Sequence, residues 1–343
     1  MFHSPPSVHD RHKRPPAGPA SDWAFERVKA EIDLVVVQIE TLHNTNFQTV
    51  QRRLGEARRH AASKKPVFVT AIDPGPGGSA RCFEFAVQDV CGMSVLYELV
   101  SSLERAFVLA APPTIRAIEF AVDFYLPAGS TDTEGAYLTA HLANRLYTGG
   151  RRARQLGRGT GNKTVHVDHA DVHIVPDATT YFGHRSDDLN HKVYWKEKDC
   201  GVAIDESARR ARVEVRVSGD VLLEMGLKAV ADLASENFRK LLAHHFRFRR
   251  ARQMSNPECT SSPFHGLLEK AGVGESHGMS SFDAYRRTRR GRLNKHSKLT
   301  QADRFMTRRV GDALDGLTDR LTKKSGDERR VTSFSMDIVF PIK

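Results

Sequence analysis

The sequence predicts an α+β fold built on largely antiparallel sheets, and three observations predict it. Over the first 126 residues, β-branched apolar runs and two amphipathic segments follow the order β-α-β-β-α-β, the split β-α-β pattern of ferredoxin-like units. Four more strand-like runs then succeed one another at 164–175, 178–184, 190–197 and 210–217. The last third is arginine-rich and reads as helix and loop.

Residues 1–20 carry Pro, His and Arg without an apolar core, so they read as a disordered arm and not as a signal peptide. The run EIDLVVVQI (31–39) is the first strand. Asn46 opens a helix through Arg59, with Phe47, Val50 and Leu54 on one face. Strands at 66–73 and 80–90 follow across the turn DPGPGGS, and Gly92 breaks the second. Ser94 is placed to cap a helix with an apolar stripe at Leu96, Leu99, Val100, Leu103 and Phe107. Pro112-Pro113 should end it before the strand TIRAIEFAVDFYL (114–126). A helix is expected near 134–147, then the basic glycine-rich stretch 149–163, which lacks P-loop spacing. Gly219 and Asp220 lead into helix, and Met336–Pro341 reads as a last edge strand.

Lys and Arg number 52 against 41 Asp and Glu, a net charge of +11. Residues 239–330 hold 22 basic and 10 acidic side chains, so this block carries the whole excess. Such clustering suits a polyanion, because phosphate contacts by Lys and Arg release condensed counterions. Within it, 285–310 has ten basic residues and one acid, and Arg286, Arg287, Arg289, Arg290 and Arg292 are the densest part. A basic helix there would grip and position DNA, and a basic tail would do the same without structure. The four cysteines form no CxxC pair, which fits a reducing compartment. No apolar stretch reaches bilayer length. The cytoplasm is the expected location, and a membrane partner is not expected.

Alternation sorts the residues that can do chemistry. On 115–125, Ile118, Phe120, Val122 and Phe124 make a core face, and Glu119, Ala121 and Asp123 the opposite one. On 212–217, Arg212, Glu214 and Arg216 oppose three valines, and on 192–196, Lys192, Tyr194 and Lys196 oppose Val193 and Trp195. Half-solvated antiparallel sheets show such faces without any function. Histidines at 166, 169 and 173 lack the His-apolar-His spacing of one endonuclease class, and His244-His245 point apart on a helix.

The segments TTYFGHRSDDLNHKVYWKEKD (179–199) and ARVEVRVSG (211–219) resemble the replication initiation factor family of the Rep_trans type. The likeness rests on Thr180-Tyr181-Phe182-Gly183 with Arg185-Ser186, Lys192-Val193-Tyr194 with Lys196, and Arg212 to Arg216, with 115–125 similar to the family's acidic strand. Three positions depart: Glu119 for the usual Asp, Ala117 for a common Arg, and Trp195 for a small polar residue. The resemblance implies a rolling-circle initiator of a plasmid or phage, or a relaxase of a conjugative element. Such an enzyme nicks and rejoins origin DNA, single-stranded or supercoiled duplex, through a phosphotyrosyl bond. Tyr194 would then be the nucleophile, in preference to Tyr181, and Lys196 its cationic helper. Mg²⁺ or Mn²⁺ would sit on Glu214 with one of Asp123 and Glu119, which lie about 13 Å apart along one strand and cannot easily share one ion, Asp123 being preferred. Lys192, Arg185, Arg212 and Arg216 would contact DNA. A catalytic nicking domain over 21–230 and a basic, mainly helical DNA-binding region over 231–343 follow, with a host helicase and a second copy as further partners left open. The alternative is a non-catalytic, sequence-specific DNA-binding regulator on the same fold.

Overall fold

The computed structural model describes residues 25–60, 65, 67–148, 153–156, 164–166, 179–199, 201–251 and 300–328. The expected arm at 1–20, most of 149–178, the arginines at 286–292 and the edge strand at 336–341 lie outside them.

The first half has the expected order: β1 (Arg27–Asn46), α1 (Phe47–His60), β2 (Phe68–Ile72), β3 (Ser79–Val90), α2 (Met93–Ala106) and β4 (Leu109–Tyr125). These strands lie in the order β2-β3-β1-β4 with every pairing antiparallel. That is the split β-α-β arrangement read from the sequence. The predicted stripe on α2 is buried through Leu96, Leu99 and Leu103, and α1 buries Val50 and Leu54.

Two local expectations are corrected. Gly92, not Ser94, is the N-cap of α2, and Met93 is its first residue and fully buried. Strand β4 begins at Leu109, so Pro112 and Pro113 lie inside it. There the register with β1 shifts between Gln38 and Glu40, and the neighbouring strand on the other side reaches only Ala117. A proline without an N–H is tolerated at such a bulge.

The chain continues through α3 (Asp132–Arg145), β5 (Ala153–Leu156), β6 (Thr164–His166), β7 (Thr179–Phe182), β8 (Leu189–Lys196), the short pair β9 (Lys198–Asp199) and β10 (Val202–Ala203), and β11 (Arg210–Ser218). Thr131 and Glu134 form a capping box at the start of α3. The full sheet has nine strands in the order β2-β3-β1-β4-β11-β8-β7-β5-β6. Trp195 lies against α3, its Nε1 donating to Asp132 at 3.0 Å. A Cβ at Gly135 would meet its ring at 2.4 Å, so the glycine makes room for the tryptophan.

Helices α4 (Gly219–Glu224) and α5 (Phe238–Leu242), the pair β12 (Arg249–Ala251) and β13 (Thr300–Ala302), and α6 (Arg304–Glu328) complete the described chain. Met306, Val310, Leu314, Leu317 and Leu321 of α6 join the same core cluster as β1, β4 and α2. Burial of each leucine contributes roughly 1.5–3 kcal/mol. Asp303 accepts from the Met306 N–H at 3.0 Å and pairs with Arg145 at 2.7 Å, both side chains 5% exposed. The end of this basic stretch is therefore part of the core that backs the sheet. Among the described residues no helix is long and apolar enough to cross a membrane.

Candidate active site

The core face of the sheet takes Phe120, Val122 and Phe124 of β4 and Val213, Val215 and Val217 of β11, none more than 1% exposed. The opposite face concentrates charge, and strand register decides which charges meet. Along one row, Glu31 of β1 stands opposite Ala121 of β4, Ala121 opposite Glu214 of β11, Glu214 opposite Lys192 of β8, and Lys192 opposite Tyr181 of β7. In the next row Asp123 faces Arg212 and Arg212 faces Tyr194. On the other side, Glu119 faces Arg216. Ala121 is the small residue in the middle, and it leaves room for the long side chains around it.

Tyr194 and Glu214 are in direct contact. The phenol donates to Glu214 Oε1 at 2.5 Å, and Lys192 Nζ donates to Oε2 at 2.6 Å. The Lys192 ammonium also lies 4.6 Å from the Tyr194 ring centroid. Burial first, and the Glu214 carboxylate second, push the Tyr194 phenol above its ordinary range, so the resting hydroxyl is protonated. Burial likewise raises the Glu214 carboxyl, against the opposing pull of Lys192.

A carboxylate oxygen from each of Asp33, Glu119 and Glu214 lies within 4.8 Å of the others. This hard-oxygen donor set fits a divalent cation of the Mg²⁺ or Mn²⁺ kind. Glu119, and not Asp123, is therefore the partner that comes to Glu214, which reverses the order of preference read from the sequence. Asp123 has no exposure and is saturated by guanidinium: Arg212 bonds it at 2.6 and 2.7 Å, and Arg210 at 2.9 Å.

Arg212 holds the acidic side of the site together. It is fully buried and also bonds Asp33 at 2.5 Å and Glu31, with Glu214 3.7 Å away. The expectation of a DNA contact there is corrected, because a guanidinium without exposed surface cannot reach a backbone phosphate. Lys196 is likewise displaced from its expected role beside the phenol. It is 7% exposed and pairs with Asp199 at 3.2 Å, and Lys192 supplies the ammonium at Tyr194 instead. Arg216 pairs with Glu119 at 2.6 Å and keeps 35% of its side chain exposed. Arg185 stands in the exposed β7–β8 turn, among its polar residues.

The sequence does not single out Asp33 and Glu31, although their spacing of two in a strand was the available signal. Ile32 and Val35 are both buried, three apart, as are Val87 and Val90 on β3. Both strands change phase there, and β1 shows a register shift against β4 between Ile32 and Leu34. Asp89, in the shifted part of β3, has a φ of 51°, a left-handed value that only Asp73 shares among the described non-glycine residues.

The arrangement has a pH signature. Burial works to raise the Glu31 carboxyl, but Arg212 and then Lys29 outweigh it and hold it at about 2, below the ordinary 4.5. A depressed folded-state value gives stability that is present above the unfolded value and lost as pH falls through the folded one. Glu31→Gln should therefore destabilise the protein fully above about pH 4.5, and the difference from wild type should vanish towards pH 2. Urea unfolding at a series of pH values measures it, and a difference independent of pH would contradict the Arg212 contact.

No protein-family profile matches the chain, and no curated protein sequence matches it. Among solved structures, two align with the chain only weakly. A rolling-circle replication initiator protein from Geobacillus stearothermophilus aligns over 73% of this chain and 99% of its own, at 16% identity and a TM-score of 0.33. The regulatory subunit of aspartate kinase from Thermus flavus aligns over 57% and 89%, at 10% identity and a TM-score of 0.19. Likenesses of this size decide neither fold nor function, and what the site can do is decided by the chain's own residues.

Proposed function

We propose that the chain is a DNA nicking and joining enzyme of the rolling-circle initiator type, with Tyr194 as nucleophile. The observation that carries this reading is the Glu214 carboxylate, shared between the Tyr194 phenol at 2.5 Å and the cluster with Asp33 and Glu119. A half-buried phenol on a carboxylate is poised to lose its proton to that carboxylate as it attacks. The phenol oxygen bonds to phosphorus, the bond from phosphorus to the deoxyribose O3′ breaks, and the O3′ leaves as a hydroxyl after taking a proton from solvent. The phosphotyrosyl ester conserves the bond for rejoining, and the free 3′ hydroxyl is what a polymerase extends. A divalent cation, when bound, supplies Lewis acidity that neutralises charge developing on the phosphoryl oxygens. Asp33, Glu119 and Glu214 are the residues that would hold it. Arg212 keeps Asp33 and Asp123 in place, and Lys192 and Arg216, each about one-third exposed, flank the cluster where a DNA strand would enter.

The test is nicking of supercoiled plasmid carrying the cognate origin. The expected result is conversion to open circle with Mg²⁺ or Mn²⁺ and none in excess EDTA. DNA binding without conversion under any metal would favour a non-catalytic regulator, and undiminished conversion in EDTA would remove the cation from the scheme.

The grip on duplex DNA is assigned by the same reading to Arg286, Arg287, Arg289, Arg290 and Arg292. Replacing all five by Gln should lower the slope of log K against log salt by up to about 0.9 for each phosphate left without its arginine. Deleting the whole basic stretch is a poorer test, because it removes the α6 leucines from the core. An unchanged slope in the five-fold variant would move the grip elsewhere.

A further inference from the structure

Six carboxylates on the charged face, Glu31, Asp33, Asp89, Glu119, Asp123 and Glu214, are met by six cations, Lys29, Lys65, Lys192, Arg210, Arg212 and Arg216. The face is thus already close to neutral as it stands. A divalent cation arriving at Asp33, Glu119 and Glu214 would bring two positive charges into a balanced set at short range. Two of the six resident cations touch its ligands from the open side: Lys192 on Glu214 at 2.6 Å and Arg216 on Glu119 at 2.6 Å. Their side chains are 33% and 35% exposed, whereas Arg212, on Asp33, has no exposure and is fixed by Glu31 and Asp123 as well.

We infer that Lys192 and Arg216 are place-holding cations, which occupy the carboxylates of the metal site until a divalent cation and a DNA phosphate arrive together and draw them off. This deepens the proposed function and rests on it. The device couples the two ligands. A cation binding alone must displace two resident charges into water, whereas with DNA present the displaced ammonium and guanidinium pair with backbone phosphates. Metal and DNA then each tighten the other, by linkage. The enzyme would hold its cation firmly only on a strand to be cut. Lys192 and Arg216 are in this sense positioning residues, and they act through Glu214 and Glu119.

The test is Mn²⁺ binding to the full chain without DNA, followed by electron paramagnetic resonance of the free ion. Lys192→Gln and Arg216→Gln, each still melting cooperatively, should bind Mn²⁺ at least about tenfold more tightly than wild type, because each removes a positive charge within a few ångströms of the site. Arg81→Gln is the control, since Arg81 pairs with Glu40, which belongs neither to this cluster nor to that of Glu31, Asp33 and Asp89. It should change the affinity less than about twofold. Adding a short single-stranded oligonucleotide should tighten Mn²⁺ binding in wild type and do so less in the two variants. Equal tightening by all three substitutions, or none by either of the first two, overturns the place-holder role and leaves the proposed function standing. A wild-type protein that takes up no Mn²⁺, with or without oligonucleotide, overturns both. Arg216→Gln keeps the inference testable should Lys192→Gln fail to fold.

Discussion

Glu214→Gln is expected to lower the rate of metal-dependent nicking by on the order of a thousandfold. The size follows from two roles removed at once. The amide keeps the shape of the side chain but cannot take the Tyr194 proton, and removal of positioned acid-base help typically costs a hundredfold or more. It also removes the one charge on the cation cluster that is 3% exposed and so least screened by water. The fold should tolerate the change, since the Lys192 ammonium it strands is one-third exposed and can hydrate. Single-turnover nicking of supercoiled plasmid, followed on gels, measures it. A rate within tenfold of wild type would show that Glu214 serves packing alone.

Arg212→Leu should produce the largest loss of stability of any single change on this face, about 3–5 kcal/mol. The guanidinium is fully buried and is shared by Glu31, Asp33 and Asp123, the last with no exposure of its own. Its removal takes the guanidinium from Asp33 and leaves Glu31 with Lys29 and Asp123 with Arg210, so three carboxylates face one another with one cation fewer. Those groups can relieve the repulsion only by taking up protons, so the deficit should shrink on acidification. Arg212→Lys should restore little, because one ammonium cannot span three carboxylates as a planar fork does. Denaturant unfolding at neutral and acid pH tests both points. A variant as stable as wild type would mean that this network contributes nothing to folding.

Much of this architecture was legible in the chain because period-two patterns are local. Glu119, Asp123, Arg212, Glu214, Lys192 and Tyr194 all fall on the face that alternation assigns them. Alternation names faces, however, and it does not name neighbours. Whether Glu214 meets Asp123 or Glu119 depends on the β4–β11 register, which puts Arg212 beside Asp123 and Arg216 beside Glu119. The diagonal reach of Glu214 across Ala121 towards Asp33 depends further on β1, which lies far earlier in the chain. Asp33 itself was hidden in an apolar run whose phase changes by one residue, so strict alternation misplaces Val35 and Val37. Lys192 and Lys196 are equivalent by period, and the pairing of Lys196 with Asp199, three residues on in β9, takes it away from the phenol. The position of α6 was illegible for a similar reason. Its apolar stripe is clear, but nothing local says that the stripe closes on β1, 290 residues away.

One covalent bond decides whether Tyr194 is the nucleophile. The protein is incubated with Mn²⁺ and a labelled single-stranded origin oligonucleotide, denatured and digested, and the nucleotide-bearing peptide is sequenced by mass spectrometry. The expected product is a phosphodiester on Tyr194, in the peptide that carries Trp195, and no adduct at all from Tyr194→Phe, which should still bind the oligonucleotide. An adduct on Tyr181, or one that persists in Tyr194→Phe, would contradict the assignment.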